Sequence, residues 1–322
     1  MNKAALALAL FVSALFAQQL EVRLSKQYGV NYLPLIVIED QRLIEKHAKA
    51  AGLGEVTTEW ITFGSGAVGN DALIAGQVDF VSGGVAPFLR LWDKTKGKVK
   101  GFVALDQALY YFNTNNPSIT GLRDINKSDR IAVSAVKSSF QAVLLQMASA
   151  KEFGVKNYDK FDSQTITLKQ PDSLIALTSG VKDITIHIAT EPFNTIEARS
   201  PLVHRFLTSR DIVGGLHTNL MVWTSEDFYA KNPKLAKAVY AAFDEAIDWI
   251  NANESEAATL YIRATKTREP HDLIYGVIAS ADLEYSIKPS ENITLFSDFL
   301  YDVGAIKSKP ASWKELFFDI NH

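Results

Sequence analysis

The chain has 322 residues, 47% hydrophobic and 21% charged, a balance that fits a globular protein with room for two domains of ordinary size. Its formal net charge is −3, so there is no electrostatic case for binding nucleic acid or an acidic membrane surface. It contains no cysteine, which excludes disulfides, a thiolate nucleophile and a thiolate metal site.

The first 17 residues read as a separate object. Lys3 supplies one positive charge, residues 4–16 are almost wholly apolar, and Leu15-Phe16-Ala17 resembles a signal-peptidase site. The apolar run is too short to span a bilayer, so residues 1–17 are expected to be a cleaved export signal. Their removal takes away Lys3 and no acid, for a mature charge of −4. With no cysteine to carry a lipid, the mature protein is expected in a Gram-negative periplasm as a monomer without a membrane anchor.

Leu20-Glu21-Val22-Arg23-Leu24 alternates in polarity and predicts the first strand. Residues 27–34 follow as a loop with two tyrosines, and residues 35–53 predict one helix ending at Gly52 and Gly54. Trp60-Ile61-Thr62-Phe63 predicts a second strand, short, aromatic and β-branched. Gly64-Ser65-Gly66 then turns the chain into a helix that stops at Gly76, and residues 78–81 re-enter the sheet. Ser82-Gly83-Gly84 opens a second bare-backbone loop at the same strand edge. A Gly-Ser-Gly taken alone is equally a plain turn. Here, however, free N–H groups and a positive dipole end follow it, which suits an anion or a polar group. Ligands of open α/β sheets bind at the carboxyl ends of the strands, so the two glycine loops predict one wall of a pocket.

Residues 87–92 predict a helix, 94–100 a solvated basic turn and 99–105 a strand. After Asn115-Asn116-Pro117 the pattern starts again: strand 131–133, loop 134–139, helix 140–153 closed by Gly154, strand 165–168, helix 171–179, strand 184–188. The helix stop and strand start at Gly76, Asp79, Phe80 and Val81 are echoed at Gly180, Asp183, Ile184 and Thr185. Two similar α/β units predict a cleft between their strand ends. From residue 220 a strand leads into an almost wholly helical tail. Asn232-Pro233 marks an N-cap and first helical position, and Leu235, Val239, Phe243, Ile247 and Ile250 form an apolar stripe. Further helices are predicted at 254–265, 270–279, 292–303 and 313–318. Such a tail is expected to pack back on the first unit. Domain one would then be 18–107 with 221–322, and domain two 108–220, with crossings near 105–112 and 217–222.

Phe63-Gly64-Ser65-Gly66 followed by Ala72-Leu73-Ile74-Ala75-Gly76-Gln77-Val78-Asp79-Phe80 resembles the F-G-S-G … A-L-x-x-G-x-x-D-F pattern of one family. That family is the periplasmic substrate-binding proteins of the nitrate, sulfonate and taurine type, which includes binders of thiamine-pyrimidine precursors. The resemblance covers the whole mature chain. It implies an α/β chain with the type II periplasmic binding protein fold, two domains around a ligand cleft joined by two hinge crossings. It also implies a binder rather than an enzyme, with no cofactor, handing a small molecule to the permease and ATPase of an ABC importer. On domain one the resemblance implies that Tyr28, Asn31, Tyr32, Gly64, Ser65, Gly66, Ser82 and Gly83 meet the ligand. On domain two it implies Lys137, Ser138, Ser139, Thr190, Glu191 and Phe193.

Lys137 is the one cation in these loops, against several aromatic residues, which suits a small organic anion. A sulfonate or carboxylate with an apolar or aromatic body is the first expectation, and Glu191 would favour an amino-substituted one. The alternatives are a thiamine-pyrimidine precursor binder and, in a different class, a pyrimidine-synthase-like enzyme on the same fold. The second would carry a cysteine-rich motif, which this chain lacks. His187, His204 and His217 stand in no G-x-S-x-G or H-E-x-x-H context, so no nucleophile–base set is evident.

Overall fold

A computed structural model describes residues 20–180 and 183–320, so the expected export signal at 1–17 lies outside the described residues. Strand β1 (Leu20–Lys26) pairs in parallel with β2 (Val56–Thr62), from Leu20 opposite Val56 to Lys26 opposite Thr62. Between them the single helix expected at 35–53 is two, α1 (Leu33–Gln41) and α2 (Leu43–Ala50). Arg42 makes the break. Its left-handed backbone, φ 52°, turns its N–H back to the carbonyls of Ile38 and Glu39. All six residues from Leu33 to Ile38 are buried, because α1 is covered by tail helices as well as by its own neighbours.

Helix α3 (Gly66–Ile74) starts where the glycine motif places it and is capped by Ser65, whose Oγ accepts from the Val68 N–H at 3.4 Å. Gly76 follows in the left-handed region, φ 68°. Asp79 then accepts from the Arg23 backbone N–H and guanidinium, tying the turn to β1. The strand expected at 78–81 is displaced: β3 is Val81–Gly84, so Ser82, Gly83 and Gly84 are strand and not loop. The cause is a distant partner. These residues pair antiparallel with Leu220–Val222 of the returning chain, which no local pattern reveals. Helix α4 (Val85–Lys94) and strand β4 (Val99–Ala104) complete this part.

Short β5 (Asp106–Ala108) leads to a second sheet. Its elements in chain order are β6 (Tyr111–Thr114), β7 (Ile131–Val133), α5 (Phe140–Phe153), β8 (Thr165–Thr167) and α6 (Gln170–Thr178). After them come β9 (Ile186–Ala189), α7 (Phe193–Glu197), β10 (His204–Thr208) and α8 (Ser209–Val213). The strand expected at 184–188 thus begins two residues later. The chain returns through β11 (His217–Thr218) into β12 (Leu220–Ser225).

The tail is α9 (Glu226–Lys231), α10 (Pro233–Ala252), α11 (Glu254–Thr265), α12 (His271–Ile278), β13 (Leu283–Tyr285) and α13 (Ile293–Asp302). Asn232 holds the N-cap position of α10 but does not cap it; its side-chain amide donates to the Phe228 carbonyl. The helix expected at 313–318 is a single 3-10 turn, Trp313–Leu316. The stripe Leu235, Val239, Phe243, Ile247 and Ile250 is buried against α1 and α2, each side chain contributing about 1.5–3 kcal/mol.

The second sheet has the order β10-β6-β9-β7-β8, parallel at β8-β7-β9 and antiparallel around β6. The first has the same plan. β1 and β2 are parallel, a bridge joins Leu24 to Phe80 beside β3, and antiparallel β12 lies between β3 and β4. The echo in the sequence therefore marks matching elements, α3 with β3 and α6 with β9. In each sheet the antiparallel strand arrives from the other part of the chain. The two crossings, β5 and β11, pair with each other, and β13 adds itself to the other edge of β5. Among the described residues no helix is long and apolar enough to cross a membrane.

Candidate functional site

A cavity opens where the two sheets face each other. From the first side, Tyr28, Asn31 and Tyr32 come from the turn after β1, and Gly64 and Gly66 from the start of α3. From the second side come Ser139 at the cap of α5 and Thr190 just past β9. These seven are the expected site residues that the fold brings together. The cavity encloses about 30 Å³, room for roughly two water molecules, so the two walls are almost in contact.

The other seven expected residues are not in this lining. Ser65 spends its oxygen on the helix cap. Ser82 is turned to β1, its Oγ donating to the Ser25 carbonyl and its N–H to Ser25 Oγ. Gly83 lies behind the wall and lets it close up: a Cβ there would fall 3.0 Å from Gln27 and Trp223. Ser138 donates to the Val136 carbonyl, and Phe193 is buried beside Gly29. The Glu191 carboxylate accepts from Asn194 Nδ2 and the Thr195 N–H, and burial pushes its pKa up.

Lys137 sits at a left-handed turn, φ 61°, exposed and outside the lining. Replacing it with methionine is accordingly expected to change a ligand's dissociation constant by less than about threefold, as for a solvent-screened charge. Titration calorimetry on Lys137→Met checks this, and a tenfold loss would bring the lysine back into the site.

Sequence reasoning missed the glutamines of the lining. Gln27, Gln141 and Gln170 face the cavity with Ser134, and Tyr110 and Phe140 supply aromatic wall. Gln27 Nε2 donates to the Ser82 carbonyl, Ser134 Oγ to Gln141 Oε1, and the Thr190 N–H to Gln170 Oε1. The one available signal was position: Gln141 and Gln170 occupy the first turns of α5 and α6. Lys169, at the cap of α6, is a cation at the rim, its stem 3.4 Å from where a Gly64 Cβ would stand.

Among the described residues that line the cavity none carries a formal charge. Positive ends of helix dipoles stand there instead. The first residues of α3, α5 and α6, and Gly84 at the cap of α4, all stand at its wall. The first N–H groups of a helix have no intrahelical acceptor and form its positive pole. Four such poles at one place favour an anion or a carbonyl oxygen.

The closed geometry depends on close backbone approach. Gly29, φ 116°, lets the Val30 N–H reach the Glu191 carbonyl at 3.1 Å; a Cβ there would stand 2.9 Å from that oxygen. Gly84 lies directly under Phe140, whose ring also meets Tyr110, His217 and Phe296 edge-on. An apolar cluster thus runs unbroken from Val81, Val85 and Phe88 to Phe140, Val143 and Phe296. Two ion pairs join the second part of the chain to the helical tail, Arg199–Glu269 at 3.2 Å and Arg210–Asp282 at 2.8 Å. Exposed as they are, each contributes no more than about 1 kcal/mol, so the apolar fit dominates.

No protein-family model matches the chain, and no curated protein sequence does. Solved structures do match. The alkanesulfonate-binding protein SsuA from Xanthomonas axonopodis pv. citri, bound to MOPS, superposes with a TM-score of 0.70 at 14% identity, over 92% of this chain and 97% of that one. The periplasmic nitrate-binding protein NrtA from Synechocystis gives 0.68 at 14%, over 92% and 84%. A Candida albicans gene product with the generic periplasmic binding protein fold gives 0.66 at 16%, over 92% and 94%. The chain therefore has the periplasmic binding protein fold. Its neighbours SsuA and NrtA are binding proteins for sulfonate and nitrate.

Proposed function

We infer that the chain is an extracytoplasmic solute-binding protein of an ABC importer, acting in the periplasm as a monomer. It captures a small anion, a sulfonate or carboxylate, and hands it to the permease and its ATPase. Residues 18–107 with 221–322 form one domain and 108–220 the other, and the paired crossings β5 and β11 act as the hinge. The observation that carries this reading is the meeting of four helix N-termini, two from each sheet, on one cavity with an uncharged lining. The likeness in fold to sulfonate and nitrate binders supports it.

A thermal-shift screen tests this with ethanesulfonate, acetate, nitrate and MOPS. A ligand that binds the folded state alone stabilises it by mass action, by about 2.7 kcal/mol at a hundredfold excess over its dissociation constant. At least one oxyanion is expected to raise the melting temperature. A flat response to all four would sink the anion reading.

A further inference from the structure

Behind the cleft floor lies a buried carboxylate with no role in the site as described. Asp106, at the start of β5, is fully buried. Its Oδ1 accepts from the Leu220 N–H at 2.9 Å, and its Oδ2 from the side-chain amides of Asn31 at 2.5 Å and Asn219 at 3.0 Å. An ionised carboxylate only accepts hydrogen bonds, so it obliges both amides to turn Nδ2 towards it. Asn31 is 2% exposed and lines the cleft. Its Oδ1 is the atom left over, and it finds no donor among the described residues. A buried acceptor without a donor is costly, and a ligand that supplies one recovers that cost.

We propose that Asn31 Oδ1 accepts a hydrogen bond from an N–H or O–H of the bound molecule, so the ligand carries a donor group besides its anionic head. Asp106 is the positioning residue that fixes the amide. The proposal rests on the cleft being the ligand site. A site built to pair with a donor discriminates strongly against a same-sized ligand that lacks it, because the acceptor is then buried bare.

The groups facing Asp106 leave it without a counter-ion. Tyr32 before α1, Tyr110 after β5 and Tyr285 on β13 are phenols, each pushed well above the ordinary range by burial. His217 on β11 stacks on Tyr110 and is not among the partners of Asp106; burial pushes its pKa down to about 4. Burial pushes Asp106 itself up to about 7. Once protonated, its O–H is a donor, and an amide can turn over to meet it with Oδ1. Asn31 would then offer Nδ2 to the cleft, so the preference for a donor-bearing ligand should weaken as Asp106 takes up its proton.

Titration calorimetry on matched ligands tests this, using 2-hydroxyethanesulfonate against propanesulfonate and glycolate against propanoate, at pH 8 and pH 6. Each pair differs by a hydroxyl in place of a methyl. In the wild type the hydroxyl member is expected to bind at least about tenfold tighter at pH 8, with a smaller margin at pH 6. Asn31→Leu should abolish the preference, and Asp106→Asn should make it independent of pH. If the leucine variant does not fold, the wild-type pH profile and Asp106→Asn decide. Equal binding of both members by the wild type overturns the proposal, as does a preference that survives in Asn31→Leu. Binding of none of the four by the wild type would fail the cleft reading, and this proposal with it.

Discussion

Gly84→Ala is expected to hold the cleft ajar and to weaken ligand binding by about tenfold or more, roughly 1.4 kcal/mol. The backbone at Gly84, φ −70° and ψ 160°, accepts alanine without strain, so the effect is purely steric. The added Cβ would stand 2.6 Å from the Cβ of Phe140. That atom is fixed to the first residue of α5 and cannot swing away as a flexible side-chain end would. The two walls must therefore part by about an ångström, and the helix poles of α3 and α5 no longer meet on one ligand. Small-angle scattering should report a more open average shape, and calorimetry with the best oxyanion from the screen should report the loss. Wild-type affinity in Gly84→Ala would mean that closure at this contact is not needed for binding.

The second large effect is on stability against pH, where two buried groups pull in opposite directions. Asp106 has its pKa pushed from 3.8 up to about 7 by burial. Between those values the folded state holds a proton that the unfolded state has lost, so this group makes stability fall as pH rises. The slope is up to about 1.4 kcal/mol per pH unit. His217 has its pKa pushed from 6.5 down to about 4, again by burial. Between about 4 and 6.5 the unfolded state binds the proton that the folded state refuses, so this group makes stability rise with pH at a similar slope. In the wild type the two largely cancel over that window. Asp106→Asn should unmask the rise and His217→Gln the fall. Urea denaturation of the three proteins at pH 4.5, 5.5 and 6.5 should show the two variants tilting in opposite senses relative to wild type. Parallel curves would show that neither group titrates as described.

What the sequence revealed was what local chemistry controls. Helix α5 was legible from its closing glycine, α10 from its Asn-Pro start and apolar stripe, and the start of α3 from Gly-Ser-Gly. The repeat of helix stop, aspartate and strand correctly matched α3–β3 with α6–β9. What depends on distant partners was not legible. The true extent of β3 is set by β12, some 140 residues on, and β13 is three residues long with its meaning only in the pairing with β5. The same division holds at the cavity. Gly64 and Gly66 came from turn chemistry and Ser139 from the family resemblance. Gln27, Gln141 and Gln170 were not, since a neutral amide carries no motif of its own. Lys137 was chosen for its charge, but charge says nothing of direction, and its left-handed turn leaves it in solvent.

The apolar cluster that joins Phe88 to Phe140 and Phe296 across the cleft also has a calorimetric meaning. Parting the walls hydrates Phe140 and the surface under it, and closing them on a ligand dries that surface again. Drying apolar surface carries a negative heat-capacity change, so the enthalpy of capture becomes more exothermic as temperature rises. The force that shuts the cleft is strongest in the warm and fades on cooling. A ligand held chiefly by hydrogen bonds to backbone poles would thus be enclosed by a clasp with the opposite temperature character, and cold alone would loosen the grip without touching a single polar contact.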